Sequence, residues 1–225
     1  MIIAVDGPAA AGKGTLARRL AEAFDFAHLD TGLIYRAVAA RLLDAGQDPK
    51  DPEAAAEAAG GITAQELENP ALRGEAVSQG ASVVAVNPAV RRALLAFQRD
   101  FAARPPGGKP GAVLDGRDIG TVVCPAAEIK FYVTASPETR AARRHKELLG
   151  RGEKSIYARV LQEVLDRDAR DSGRQAAPLR PAEDAIVLDT TEMDADAAFE
   201  AALQIIVSRH PALKPRRPAG EETKS

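Results

Sequence analysis

Tryptophan is absent from this 225-residue chain, and aromatic residues amount to only 4%. Stacking platforms for single-stranded nucleic acid are therefore scarce. A single cysteine, Cys124, excludes an internal disulfide and a cysteine-cluster metal site, and it fits a reducing compartment. An excess of charge of either sign is also missing. The formal net charge of −2 gives no global electrostatic drive toward nucleic acid or anionic membrane. No apolar run approaches the ~20 residues needed to span a bilayer. Met1–Val5 runs into a Gly-rich loop with no basic segment ahead of it, so it reads as a strand and not as a signal peptide. The expectation is a cytoplasmic monomer with no polymeric nucleic acid and no membrane among its partners.

Apolar residues make up 45% of the chain, enough for one core domain carrying small insertions. Short, continuous apolar runs occur at Ile2–Val5, Ala27–Leu29, Ala112–Leu114, Ile129–Thr134 and Ala185–Leu188. Such runs suit strands buried on both faces of a parallel sheet. Helical patterns follow most of them. Leu16, Leu20 and Phe24 form a stripe within Thr15–Phe24, and Phe199, Leu203 and Ile206 share a side of Asp194–Val207. Ser136-Pro137 is a good start for a helix over Glu138–Leu149. The alternation predicts an open, doubly wound α/β fold, in which ligands lie beyond the carboxyl ends of the strands. Residues 34–101 read as Ala-rich and helical, and residues 140–174 hold eight arginines. Both look inserted. Pro211–Ser225 is Pro-rich and charged, and reads as a disordered tail.

The most specific local pattern is Gly7-Pro8-Ala9-Ala10-Ala11-Gly12-Lys13-Gly14-Thr15, between a strand and a helix. That is the context of a P-loop. Glycine lets backbone N–H groups turn inward, and these donors with the positive helix end hold phosphate oxygens. Lys13 would place a charge on the transferred phosphoryl, and Thr15 would offer its hydroxyl to Mg²⁺. Gly14 stands where Ser or Thr usually follows the lysine, as in nucleoside monophosphate kinases. Switches, motors and kinases share this loop, so it does not name a reaction. No Asn-Lys pair occurs, which removes the usual guanine reader of a GTP switch.

Three further constellations suggest an acceptor site. Asp30-Thr31-Gly32-Leu33-Ile34-Tyr35-Arg36 and Asp115-Gly116-Arg117-Asp118-Ile119-Gly120-Thr121 each end a strand. Arg167, Arg170, Asp171 and Arg174 share one face if their segment is helical. Arginines converging on one phosphate would offset its repulsion from a triphosphate. Asp115 fits a Walker-B-like acid acting on Mg²⁺ through water, or equally a cap of the following turn; Asp30 is similar. His28, His145 and His210 show no metal spacing.

Together the four motifs resemble those of bacterial cytidylate kinases, over roughly residues 2–207. The resemblance implies an adenylate-kinase-like P-loop fold: a five-stranded parallel sheet, order 2-3-1-4-5, flanked by helices. It implies a core of residues 1–33, 98–139 and 175–210, a nucleoside-monophosphate-binding insert at 34–97 and a short lid at 140–174. It implies transfer of the γ-phosphoryl of ATP to CMP or dCMP with Mg²⁺. Lys13, Arg117, Arg167 and Arg170 become the expected catalytic groups. Thr31, Arg36, Ser82, Arg91, Arg117, Asp118, Arg167, Asp171 and Arg174 become the expected CMP contacts, with Asp118 reading cytosine and Asp171 holding the ribose. Many family members carry a longer insert with extra strands, whereas Ile62–Gly80 is short here and reads as helix or loop. Which of Arg140, Arg143, Arg144, Arg151 and Arg159 meets the transferring group stays open, as do another small-molecule P-loop kinase (UMP, AMP or a metabolite hydroxyl) and a nucleotide-binding switch.

Overall fold

The computed structural model describes residues 1–216. Strand β1 (Ile2–Asp6) leads through the Gly-rich loop into helix α1 (Lys13–Phe24). Strand β2 (Ala27–Asp30) runs directly into α2 (Thr31–Asp44), whose first turn is capped by the Asp30 carboxylate accepting from Gly32 N at 2.9 Å. Helices α3 (Pro52–Ala58), α4 (Glu75–Val84) and α5 (Pro88–Ala103) follow, with one-turn 3₁₀ segments at Gln65–Glu68 and Pro70–Arg73. Strands β3 (Ala112–Gly116) and β4 (Ile129–Thr134) precede α6 (Pro137–Gly150) and α7 (Tyr157–Gly173). Strand β5 (Ile186–Asp189) and α8 (Ala195–Arg209) complete the described chain. The sheet is parallel, in the order β2-β3-β1-β4-β5. This is the adenylate-kinase-like topology expected from the motifs.

Side-chain alternation along the strands divides the core into two layers. Ala4, Leu29 and Leu114 face Ile34, Val38, Leu42, Val90 and Leu94. Ile3, Val5, Val113, Phe131 and Val133 face Leu16, Leu20, Phe24, Ala202 and Ile206. Both strand faces are covered, which explains runs that are apolar without a polar face. The helices between Thr31 and Ala103 share this core. Ala55, Ile62 and Leu72 lie in the same cluster as Leu29 and Leu114. Arg41 organises the turn that connects them, holding Glu66 at 2.9 Å and the carbonyls of Ala58 and Gly60 at 2.8 and 2.6 Å. No strand forms there.

Two ties place the loops around the site. The Asp6 carboxylate at the end of β1 accepts from Ile119 N and Gly120 N at 2.8 and 2.7 Å, fixing the π-helical turn Ile119–Val123 that follows Asp118. Burial pushes the Asp6 carboxyl up to about 6 against those two hydrogen bonds. The second tie is Arg140, 3% exposed, which donates to Asp168 Oδ1 and Oδ2 at 3.0 and 2.5 Å, to Ala135 O at 2.9 Å and to Ala9 O at 3.3 Å. It joins α6, α7 and the Gly-rich loop. Asp168→Ala leaves this buried guanidinium without its counter-charge, at a cost of about 3 kcal/mol. The expected loss in melting temperature is roughly 6–12 °C. A thermal melt checks this; an unchanged melt would show that the pair does not stabilise the fold.

The first residues of the tail expected from Pro211 pack against the core. Leu213 packs against the α1–α8 layer, and Arg216 donates its backbone N–H to Ala23 O at 2.6 Å and pairs with Asp25. Residues 217–225, the rest of that expectation, lie outside the described residues.

Candidate active site

The Gly-rich loop supplies the first half of the site. Gly12 caps α1 in the left-handed region, at φ 87°, which frees the first-turn N–H groups to point into the loop. Gly7 is required for another reason: a Cβ there would stand 2.0 Å from Val133 O. Gly7 and Pro8 are buried beneath the loop, while Ala9 and Ala10 form part of the wall of the cavity beside it. Ala11 and Gly12 line a separate hollow with Thr15, Leu16, Val133 and Met193. Thr15 is exposed at the first turn of α1. Lys13 and Gly14 stand on the same wall as Asp30 and Asp115, which are paired across β2 and β3. Asp115 Oδ1 is engaged by His28 Nε2 at 2.8 Å, and its Oδ2 lies against Gly14. Burial, then the neighbouring Asp115, raise the Asp30 carboxyl above its usual range. Burial and the charge of Arg117 lower the Lys13 ammonium to about 7.

The second half gathers residues from five elements into one cavity. Thr31 and Arg36 come from α2, Ser82 from α4 and Arg91 from α5. Arg117 and Asp118 follow β3, Arg167 and Asp171 come from α7, and Arg174 follows α7. Lys13 lies on the same wall, so cradle and cavity are continuous. Among its lining residues, six basic side chains (Lys13, Arg36, Arg91, Arg117, Arg167, Arg174) face four carboxylates (Asp30, Asp115, Asp118, Asp171). The excess is positive, which suits an anion.

The charges are held in a fixed pattern. Arg117 Nε donates to Asp171 Oδ2 at 2.8 Å, and Arg174 Nε to Asp171 O at 3.2 Å. Arg91 pairs with Asp118, donates to Ala85 O at 3.3 Å and lies over the Tyr35 ring, 5.7 Å from its centroid. Arg36 reaches Leu72 O at 3.1 Å and Ser78 Oγ at 3.3 Å. Thr31 Oγ1 donates to Asp115 O at 2.8 Å. Two buried guanidinium nitrogens, Arg167 Nε and Arg174 Nη2, have no hydrogen-bond partner among the described residues, although Asp171 Oδ1 stands 3.7 Å from the second. Burial, and after it the charge of Arg117, push Arg167 down to about 10. Buried donors without acceptors are costly.

The expected catalytic residue Arg170 is not brought in with the others. It is exposed, does not line the cavity, and touches Ser82 Oγ from outside at 3.3 Å. Helix α7 ends at Gly173, and Arg174 turns back toward the cavity with extended backbone. The remaining lid arginines have other tasks. Arg140 ties the loop to α7 as described. Arg143 donates to the carbonyls of Thr190 and Met193 at 2.5 and 3.0 Å. Arg144 pairs with Glu75 and Glu147, Arg151 pairs with Glu147 and donates to Arg73 O at 3.2 Å, and Arg159 is exposed.

A family model described as cytidylate kinase matches residues 3–208. The cytidylate kinase of Methylocella silvestris is 58% identical over 219 residues, 97% of this chain and 100% of that protein. The chain belongs to the cytidylate kinase family. The cytidylate kinase of Paramagnetospirillum magneticum is 60% identical over 208 residues, 92% of this chain and 98% of its own length. Among solved structures, an uncharacterised protein from Eubacterium ventriosum aligns with a TM-score of 0.50 at 16% identity, covering 92% of this chain and 99% of that one. That likeness concerns the fold alone.

Within this cytidylate kinase framework, motif reading gave no role to the cavity residue Tyr35 and left that of Asp30 open. Tyr35 sits inside the Asp30–Arg36 motif, but only the structure shows its ring beneath Arg91. Asp30 was open between a cap and a metal acid; it caps α2 and also lines the cavity. Among the described residues, no helix is long and apolar enough to cross a membrane.

Proposed function

We propose that the chain transfers the γ-phosphoryl of ATP to CMP, and also to dCMP, releasing ADP and CDP or dCDP. The observation that carries this reading is the pair of unpartnered buried nitrogens of Arg167 and Arg174, in a positive cavity that opens onto Lys13. A nucleoside monophosphate brings phosphate oxygens to Arg167 and sugar oxygens to Arg174. An α-phosphate oxygen of CMP attacks the γ-phosphorus in line, and the bond from that phosphorus to the β,γ-bridging oxygen breaks. The attacking oxygen is already anionic, so no general base is needed. Positioning and charge neutralisation are the chain's contributions.

Each residue then has a task. Backbone donors from Gly7 to Thr15 hold the β- and γ-phosphates, and Lys13 follows the transferring group. Arg36, Arg117 and Arg167 hold the acceptor phosphate, and Asp171 with Arg174 holds the sugar. Asp118, Arg91 and Ser82 read the base. The hydroxyl of Thr15 and the free oxygen of Asp115 suit Mg²⁺, a hard cation that keeps most of its waters. When bound, the ion neutralises charge on the triphosphate. Segments 34–97 and 140–174 close over the nucleotides, which keeps water from competing as acceptor.

The direct test is ADP release from ATP with CMP, dCMP, UMP or AMP as acceptor. CMP and dCMP should stimulate release strongly and AMP should not. Hydrolysis that ignores the acceptor would overturn the proposal in favour of a switch.

A second expectation concerns protons. In the free protein Lys13 titrates at about 7, so at pH 8 it is mostly neutral. A polyphosphate beside it favours the ammonium. ATP binding should therefore take up close to one proton at pH 8, fading toward zero near pH 6. Calorimetry in buffers of different ionisation enthalpy reads this number directly. Absence of uptake at pH 8, or uptake that survives in Lys13→Met, would show that Lys13 does not meet the phosphates.

A further inference from the structure

We infer that Arg73, carried by the one-turn segment Pro70–Arg73, is a catalytic residue that stabilises the phosphoryl group in flight. The inference rests on the reading of the site as a phosphoryl-transfer centre.

Arg140, Arg143, Arg144, Arg151 and Arg159 offer no free guanidinium at the centre of the site, and Arg167 and Arg174 stand on the acceptor side. Arg140 and Arg144 are paired with carboxylates, Arg143 is spent on two carbonyls, Arg151 is paired with Glu147, and Arg159 is exposed on α7. Arg73 differs. It lines the cleft that contains Gly12, Lys13 and Thr15, on the donor side. It also lines the hollow that contains Arg36, Ser78 and Arg167, on the acceptor side. Its side chain is exposed and has no ion-pair partner among the described residues. Its charge is near enough to help lower the pKa of Arg36, after burial of that group and the charge of Arg144. A cation common to both clefts faces the space between the two phosphates, where charge is greatest during transfer.

The backbone around Arg73 links it to the acceptor. Arg36 Nη1 donates to Leu72 O at 3.1 Å, and Arg151 Nη1 donates to Arg73 O at 3.2 Å. Leu72 is buried in the core cluster and anchors the turn. The turn is therefore held from one side by an acceptor-phosphate arginine and from the other by the lid segment. Occupation of the acceptor site fixes Arg36, and through Leu72 O it fixes the turn that carries Arg73. A catalytic charge delivered by the acceptor's own arginine assembles only when CMP is present, which disfavours transfer to water.

The test compares wild type, Arg73→Ala and Arg73→Lys in CMP-dependent ADP release. Wild-type activity confirms the underlying reading first; without it, that reading fails before Arg73 is considered. Arg73→Ala should lower kcat about a hundredfold. KM for CMP and the Kd for ATP should stay within about threefold, because ground-state contacts are kept. Its thermal midpoint should not change, since the side chain is exposed. Arg73→Lys should recover part of kcat, and added guanidinium ion at low millimolar concentration should raise the rate of Arg73→Ala but not of wild type. A kcat within threefold of wild type would overturn the inference. So would a defect confined to KM for CMP, or a lost rate that tracks a lowered melting temperature and that guanidinium does not rescue.

Discussion

Lys13→Met should lower kcat for CMP phosphorylation about a thousandfold while leaving the melting temperature at or above that of the wild type. The rate loss follows from where the ammonium stands, on the wall shared by the phosphate loop and the arginine cavity. During transfer, negative charge gathers on the bridging oxygen and on the peripheral oxygens of the moving group. A cation already fixed there costs no reorganisation when the charge develops. Methionine keeps most of the unbranched side chain and removes the ammonium. The stability forecast comes from the depressed pKa. Burial and the charge of Arg117 hold the Lys13 ammonium at about 7, well below its unfolded value. A base with a lowered folded pKa binds its proton less tightly when folded, so it destabilises the fold at pH below the unfolded pKa, and most below the folded one. Removing it relieves that cost, and the relief should be larger at pH 6 than at pH 9. Steady-state rates with saturating nucleotides, and melts at both pH values, read the two effects separately. A folded variant with full activity would remove the loop lysine from the mechanism.

The fold was legible because its signals are local. Ile2–Asp6, Ala112–Gly116 and Ile129–Thr134 are short runs buried on both faces, and that burial is what made them apolar without alternation. Ser136 caps α6 from the position its sequence context suggests, accepting from Thr139 N at 3.2 Å with Pro137 in the first turn. The two halves of the site were legible as motifs, since phosphate binding needs particular residue types next to particular strand ends. Geometry over longer distances was not. An i, i+3, i+4, i+7 spacing put Arg170 with Arg167, Asp171 and Arg174. On the helix Arg170 lies about 100° around from Asp171, enough to carry its side chain to the flank by Ser82. Arg174 reaches the cavity only because the helix has already ended. The roles of Arg140 and Arg73 depend on partners far away in the chain, Asp168 and Ala9 for one, Arg36 and Arg151 for the other. No spacing rule connects those positions. The tail was misread over 211–216 because a Pro-rich, charged segment still offered Leu213 to the α1–α8 layer.

Asp118→Asn should reduce the preference for CMP over UMP, measured as the ratio of their kcat/KM values, on the order of 10²–10³-fold. Cytosine presents an amine at N4 and an acceptor at N3, whereas uracil presents an acceptor at O4 and a donor at N3. Asp118 is 5% exposed, so water cannot correct a mismatch. Its carboxylate accepts from N4 but meets O4 as acceptor against acceptor, so O4 finds no donor there and the Asp118 oxygen not held by Arg91 loses its partner. A charged oxygen facing an acceptor costs more than the ~1–3 kcal/mol of an unsatisfied neutral group, which sets the scale of the discrimination. Arg91 sharpens it. The guanidinium is held between Asp118 and the Tyr35 ring, with one arm on Ala85 O, so it cannot turn away to suit a different base edge. Asparagine changes the first of these readers and removes the counter-charge of Arg91, whose hold on Ala85 O and the Tyr35 ring remains. Its carbonyl still accepts from N4, and its amide nitrogen donates to O4, so either base finds a partner. UMP should gain more than CMP loses, because CMP keeps a hydrogen bond and loses only its charge assistance. Arg91 still donates toward N3, so the variant should retain a residual preference for CMP. An unchanged ratio in a folded Asp118→Asn protein would mean that the base is read elsewhere in the cavity.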